Sequence, residues 1–171
     1  MASINQRFQI TPALSGNVQL YNANSHTQAT LTDPTVPSPN GAPLSEQVQT
    51  SRVNRLGGMA NLQFAVGAHT LTQGAWQEQS KAAARTDWYQ QPLLGQGRPL
   101  KATGPFDVYG PAFLTDNASR WVTRSQQFYL HDDIALSETS KLGVGFKAVD
   151  FRTEGGGLGE APDRPVYGAL R

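Results

Sequence analysis

Three histidines and one acidic pair are the side chains of this chain that suit metal binding or proton transfer. Only His131, Asp132 and Asp133 stand together, whereas His26 and His69 are isolated in the sequence. A zinc site draws on spaced ligand pairs, and this cluster has no second pair to complete it. The two aspartates cannot form an acid–base dyad, because adjacent residues of a strand point to opposite faces of a sheet. We interpret the cluster as the polar end of a strand and predict no metal site.

The common catalytic motifs do not occur in the sequence. The glycine-rich segment at residues 155–159 lacks the Gly-Lys-Ser/Thr ending that holds phosphates. Neither a Gly-x-Ser-x-Gly elbow nor a His-Glu-x-x-His helix is present. The chain has no cysteine, which excludes thiolate zinc sites, cysteine nucleophiles and disulfides. We therefore predict no catalytic residue, no cofactor and no enzyme activity.

The charge and composition of the chain exclude several further classes of protein. The chain has 14 Lys and Arg against 13 Asp and Glu, so it offers no electrostatic footprint for nucleic acid. Its 17 glycines and 11 prolines in 171 residues argue against a long-helix protein. No stretch approaches 18 consecutive apolar residues, which excludes transmembrane helices. A transmembrane strand remains open, because it needs only about ten residues with every second one apolar.

Alternation of apolar and polar residues predicts two β-hairpins. The first joins a strand that ends in Leu62, Phe64 and Val66 to a return strand at residues 70–80. The second joins a strand at residues 121–136, with Phe128 and Leu130 at even positions, to a strand with the cleanest alternation in the chain. That last strand carries Leu142, Val144 and Phe146.

A weaker third hairpin is predicted from residues 6–11 and 17–21. The connections between strands then alternate between short and long, in the order residues 12–16, 22–51, 67–69, 81–119, 137–141 and a last long one that opens at Gly155. In soluble β-sandwiches, the length of a loop does not depend on the end of the sheet at which it lies. Outer-membrane barrels have short periplasmic turns and long extracellular loops, so this alternation is typical of them.

Two segments resemble barrel hairpins of TonB-dependent outer-membrane receptors. One runs from Phe128 through the acidic pair and a polar turn to the triplet Gly145-Phe146-Lys147. The other contains Arg55-Leu-Gly-Gly and the run from Gly67 to Glu78. The resemblance covers about a third of the chain, and the plug domain and energy-coupling box of the family are not among its residues.

The resemblance implies an all-β fold in which antiparallel up-and-down strands form part of a transmembrane β-barrel wall. We expect one domain over residues 1–171, a fragment of about six strands, since a closed membrane barrel has at least about eight. The implied function is uptake of a scarce nutrient, such as a siderophore, vitamin or oligosaccharide, across the outer membrane of a Gram-negative type cell. The implied partners are outer-membrane lipid, TonB acting through a plug domain, and the nutrient, with no nucleic acid.

Two sets of residues are candidates for this function. The expected lipid-facing side chains are Leu62, Phe64, Val66, Phe128, Leu130, Leu142, Val144 and Phe146. Four aromatic residues belong either to the girdle at the membrane boundary or to ligand-contacting loops: Trp88, Tyr89, Tyr109 and Trp121. The alternatives to a receptor fragment are a soluble β-rich binding module, for example for carbohydrate, and an independent eight-stranded barrel.

Overall fold

Six long strands and a short seventh form a single antiparallel sheet in this computed structural model, which describes residues 1–157 and the backbone of residues 158 and 165–170. The strands lie in the sheet in chain order, and each pairs with the next one. They are β1 (Ala2–Thr11), β2 (Leu14–Asp33), β3 (Ser45–Val66), β4 (His69–Gln90), β5 (Leu114–Ala135), β6 (Lys141–Leu158) and β7 (Pro165–Leu170). The all-β, antiparallel up-and-down architecture predicted from the sequence is confirmed.

Connections of different length lie at opposite ends of the sheet. Residues 12–13, 67–68 and 136–140 make short turns at one end, which we call the turn end. Residues 34–44 and 91–113 make long loops at the other, the loop end, and the second contains a 3-10 helix, Asp107–Tyr109. Gly67 has a φ of +57° at the first position of a two-residue turn, as in type II′ hairpins. Among the described residues, no helix has both the length and the apolar character needed to cross a bilayer.

The strands extend much farther toward the loop end than the sequence predicts. The predicted loop bounds are therefore wrong. Most of residues 22–51 belong to β2 and β3, and both ends of the predicted loop at 81–119 lie in β4 and β5. The connection predicted to open at Gly155 is also wrong over its first residues, which lie in β6, while Gly159 falls outside the described residues. Most side chains of these segments are polar or small, and backbone pairing continues although the hydrophobic alternation has stopped.

Cross-strand pairing is continuous over most of the sheet, so paired residues form rows perpendicular to the strands. One such row is Gly16, Leu62, Gln73, Leu130 and Phe146. Irregularities between Gln9 and Thr11 and between Thr86 and Asp87 interrupt the pairing near the ends of the strands. Within the described residues, β1 and β7 are the two edges of the sheet.

The buried core is small and lies entirely at the loop end. Its apolar members in the described part of the chain are Ala42, Val48 and Trp88, each at most 4% exposed. Loops 34–44 and 91–113 supply the cover for β3 and β4 there. The rest of the sheet is a single layer, whereas a stable soluble domain usually packs two or more layers around its core.

The observed strand ends predict where trypsin cuts first. Lys101 lies in loop 91–113, and Lys81 and Arg85 lie in the hydrogen-bonded ladder of β4. We expect cleavage after Lys101 well before cleavage after either strand residue, since proteases need locally unfolded backbone. Mass spectrometry of early digestion products of the chain in detergent measures the order. A first cut after Lys81 or Arg85 would mean that residues 81–90 form a loop.

Candidate functional site

All eight side chains expected to face lipid lie on one face of the sheet, which we call the band face. The pairing places even-numbered residues of β2, β3, β5 and β6 on this face together with odd-numbered residues of β4. The eight residues are between 37% and 63% exposed. They form a surface at the turn end, the apolar band, whose polar members are Gln73, His69 and Asp132. Exposed contiguous apolar surface of this extent marks an interaction site in a folded protein.

The pairing adds members to the apolar band that the sequence analysis did not select. Ile4 pairs with Leu20, Val18 with Ala60, and Phe64 with Leu71. Leu56 extends the band on β3, so that from Leu56 to Val66 every band-face residue of this strand is apolar or glycine. The alternation in β2 was the signal available in the sequence. It covered too few residues to fix a face without knowledge of the partner strand.

The opposite face, the polar face, carries a hydrogen-bonded aromatic cluster near its middle. The indole Nε1–H of Trp76 donates to the Tyr21 hydroxyl at 2.8 Å, and this hydroxyl donates to Glu78 Oε2 at 2.6 Å. The Tyr21 ring covers Gly57, where a Cβ would overlap it. Tyr129 covers Gly74 in the same way. Aromatic cover of a strand glycine fixes register and shields backbone that lacks a side chain.

The acidic pair divides between the two faces, as predicted. Asp132 lies on the band face and contacts His69, with Nδ1 to Oδ2 at 2.7 Å. Asp133 lies on the polar face and contacts His131, with Nε2 to Oδ1 at 3.0 Å. Each carboxylate therefore has its own histidine at the turn end. No group of three metal-binding side chains occurs in the described part of the chain.

The four candidate aromatic residues are spread over the loop end and the strand beside it. Trp88 is buried, and its Nε1–H donates to Asp116 Oδ2 at 2.8 Å. Tyr109 lies in the 3-10 helix and donates its hydroxyl to the Arg98 carbonyl at 2.8 Å. Trp121 lies on the polar face, in the row of Ala82. The structure therefore does not bring these side chains together into one site.

Tyr89 lies beside the buried core, and its ring packs against Phe106 with centroids 5.7 Å apart. Burial raises the pKa of Tyr89, and the nearby Asp87 carboxylate raises it further. The phenol is therefore a neutral group that can donate a hydrogen bond at the loop end.

Polar groups fasten the two long loops to the sheet. The carboxylate of Glu46 is buried, and its Oε2 accepts hydrogen bonds from Gln91 Nε2 at 2.9 Å and from Thr32 Oγ1 at 2.7 Å. The Gln91 backbone N–H donates to Ser38 Oγ at 2.9 Å, which ties loop 34–44 to the start of loop 91–113. This cluster holds both loops in one arrangement. Nothing in the local sequence indicated it, because its members lie in four separate segments.

A groove of about 1100 Å³ lies on the band face, where the apolar band ends on the side of the loops. Leu56, Ala75 and Phe128 line one part of it, and Gln126 and Asp150 line another. Its lining is therefore amphipathic, which suits a ligand or lipid with an apolar part and a polar part.

Comparison of the chain with protein-family models, with curated proteins and with solved structures finds no match.

Two tyrosines with different hydrogen bonding make a matched test of the polar-face cluster. Tyr21→Phe removes the acceptor of Trp76 and the donor to Glu78, so we expect a loss of about 1–2 kcal/mol in the free energy of unfolding. Tyr129→Phe removes a hydroxyl that likewise sits over a glycine but has no hydrogen-bond partner in the described residues, so we expect a change below about 0.5 kcal/mol. Urea titration in detergent, followed by circular dichroism, measures both. Equal effects would show that the cluster contributes nothing specific.

Proposed function

We propose that this chain is part of the wall of an outer-membrane β-barrel, with its band face toward lipid and its polar face toward the interior of the barrel. The observation that carries this proposal is the apolar band, a set of half-exposed apolar side chains that lie together on one face and at one end of a single-layer sheet. Lipid would supply the second layer that the described residues do not supply. Burial of eight large side chains that are about half exposed would contribute on the order of 10 kcal/mol.

The height of the apolar band supports a membrane partner. On β3 it runs from Leu56 to Val66, which at about 3.3 Å per residue is about 33 Å along the strand. At the tilt of about 40° found in membrane barrels, this length corresponds to about 25 Å along the membrane normal. The lipid-facing band of outer-membrane barrels has a height of about 25 Å.

The two ends of the sheet differ in the length of their connections, as the two ends of an outer-membrane barrel do. Short turns lie directly beside the apolar band, whereas long loops lie on polar strand extensions. In outer-membrane barrels the short turns are periplasmic and the long loops extracellular. We therefore assign loops 34–44 and 91–113 to the cell exterior, together with Tyr109 in the second loop and Trp88 and Tyr89 at the adjoining end of β4. Closure of the barrel would come from further strands that pair with its edges, because no open edge survives in hydrocarbon.

Nutrient uptake is the more specific part of the proposal and rests on the resemblance to TonB-dependent receptors. In that setting the partners are outer-membrane lipid, a siderophore, vitamin or oligosaccharide, and TonB acting through a plug domain. The DNA that flanks the coding sequence tests this part. We expect a reading frame for a signal peptide and plug domain upstream, and flanking frames with no such segment would contradict it.

A soluble ligand-binding module is the second candidate, and the amphipathic groove on the band face favours it. In that function the groove residues Leu56 and Phe128 would contact the apolar part of a ligand, and Gln126 would bond to its polar part. The two functions make opposite predictions for the behaviour of the band face in water and in detergent.

Spin labels distinguish the faces directly, and the absence of native cysteine makes each engineered label unique. We expect labels at Phe64, Leu130 and Phe146 in detergent micelles to be relaxed by oxygen more than by a water-soluble nickel complex. Matched labels one residue away, at Gln63 and Lys147, should show the reverse, because adjacent residues point to opposite faces. Shielding of the second set instead would place the polar face against the detergent.

Behaviour without detergent is a second test of the membrane function. A sheet with two edges and an uncovered apolar band should aggregate, since exposed edges and apolar surface both favour association. We expect size-exclusion chromatography of the detergent-free chain to give large, polydisperse species. A monodisperse monomer with a cooperative thermal melt would instead establish the soluble binding module.

A further inference from the structure

Five cations lie on the band face just beyond the apolar band on the side of the loops. They are Arg52, Lys81, Arg120, Arg124 and Arg152, which we call the basic belt. The belt occupies three consecutive rows, which contain Leu56, Asn54 and Arg52 of β3. Glu154 is the one carboxylate among the described side chains of these rows on this face. The belt therefore has a net charge of about +4 at neutral pH.

Three members of the basic belt make no ion pair with a carboxylate of the described residues. These are Arg52, Lys81 and Arg120, and all three are exposed. Arg124 and Arg152, by contrast, both contact Glu154, at 3.5 Å and 2.7 Å. The Nε–H of Arg52 donates to His26 Nδ1 at 3.3 Å, which leaves its terminal amino groups available.

The pairing places the three unpaired cations around one small residue. Arg52 and Arg120 lie on either side of Ala83 in the same row, and Lys81 lies two residues from Ala83 on β4. With strands about 4.8 Å apart and residues about 3.3 Å apart, their Cα atoms are about 8–10 Å from one another. Long flexible side chains at this spacing can all reach one phosphate group placed above Ala83.

The opposite border of the apolar band has a different charge pattern. No lysine or arginine lies on the band face of the described strands between the row of Leu56 and the turn end. The ionisable groups of that part of the face are Asp132 and His69, which contact each other, and Asp150, which lies in the row of Gly58. Cations therefore border the band only on the side of the loops.

The depth of the basic belt matches that of a headgroup layer. The belt begins in the row of Leu56, the last apolar residue of the band on β3, and ends four residues farther along, because Arg85 in the next row is paired with Asp87. That distance is about 13 Å along the strand, or about 10 Å along the normal at a 40° tilt. The headgroup region of a bilayer extends about 5–8 Å beyond the hydrocarbon on each side.

We propose that the basic belt binds the phosphate groups of anionic lipid headgroups in the leaflet on the side of the loops. This inference rests on the proposed function, because the apolar band must face the acyl chains of the same lipids. Guanidinium groups bind phosphate oxygens in bidentate fashion, and the Lys81 ammonium adds a point charge. The amphipathic groove, which is lined by Leu56 and by Arg124 of the belt, joins the two parts of such a lipid.

Mixed micelles test this inference without requiring a closed barrel. The full chain is prepared in a neutral detergent that contains spin-labelled phosphatidylglycerol or spin-labelled phosphatidylcholine, and the motionally restricted lipid fraction is measured. We expect the chain to restrict phosphatidylglycerol about five- to tenfold more strongly than phosphatidylcholine, because the belt attracts the anionic headgroup and not the zwitterionic one, which has no net charge. High salt should abolish this preference.

A matched pair of triple variants locates the effect. Arg52→Gln, Lys81→Gln and Arg120→Gln together should remove the preference, and circular dichroism confirms that the variant keeps its strands. Arg7→Gln, Lys141→Gln and Lys147→Gln remove the same charge from the polar face and should leave the preference unchanged. Loss of preference in both variants would overturn the assignment to the basic belt.

Two further outcomes separate this inference from the function it rests on. Equal restriction of both labelled lipids would overturn the headgroup site and leave the lipid-facing band intact. Restriction of neither lipid would contradict the membrane function itself. Displacement of phosphatidylglycerol by inorganic phosphate, but not by sodium chloride of equal ionic strength, would identify a site for free phosphate and overturn the lipid assignment.

Discussion

The antiparallel ladder of backbone hydrogen bonds is the constraint on which the other features of this protein depend. From β2 to β6 the pairing runs without a slip through the turn half of the sheet, so each strand presents its apolar set in phase with its neighbours. A shift of one residue in any strand would carry that set to the other face. The contiguity of the apolar band and of the basic belt follows from this single register.

Part of the fold could be predicted because one physical signal was strong. The strand from Leu142 to Ala148 alternates large apolar residues with glycine and lysine, and the structure places these two sets on opposite faces. Residues 22–33 could not be recognised as a strand in the same way. Asn24 and Ser25, for example, are polar on both faces, so a window of sequence contains no period to detect. Their strand conformation comes from pairing with β3 on one side, which is a tertiary effect.

The candidate sites show the same division between local and tertiary signals. The eight band residues were chosen by alternation alone, and the structure places all of them on one face. The basic belt could not be found from sequence, because Arg52, Lys81 and Arg120 lie on three strands and meet only through the pairing of Ala83. Burial of Glu46 and Trp88 was also not predictable, since the loops that cover them come from distant segments.

The length of the strands has a mechanical consequence for the loops. β4 continues from Gln79, in the row of Leu56, to Gln90, which is about 36 Å of hydrogen-bonded strand. In the proposed membrane barrel, with strands tilted by about 40°, this extension would raise its end about 28 Å above the hydrocarbon. An unpaired segment of that length would leave the attached loops mobile, whereas hydrogen-bonded strands resist bending in the plane of the sheet. In such a barrel, loops 34–44 and 91–113, which are joined by the hydrogen bond between Ser38 and Gln91, would form a rigid platform at a fixed height above the cell surface.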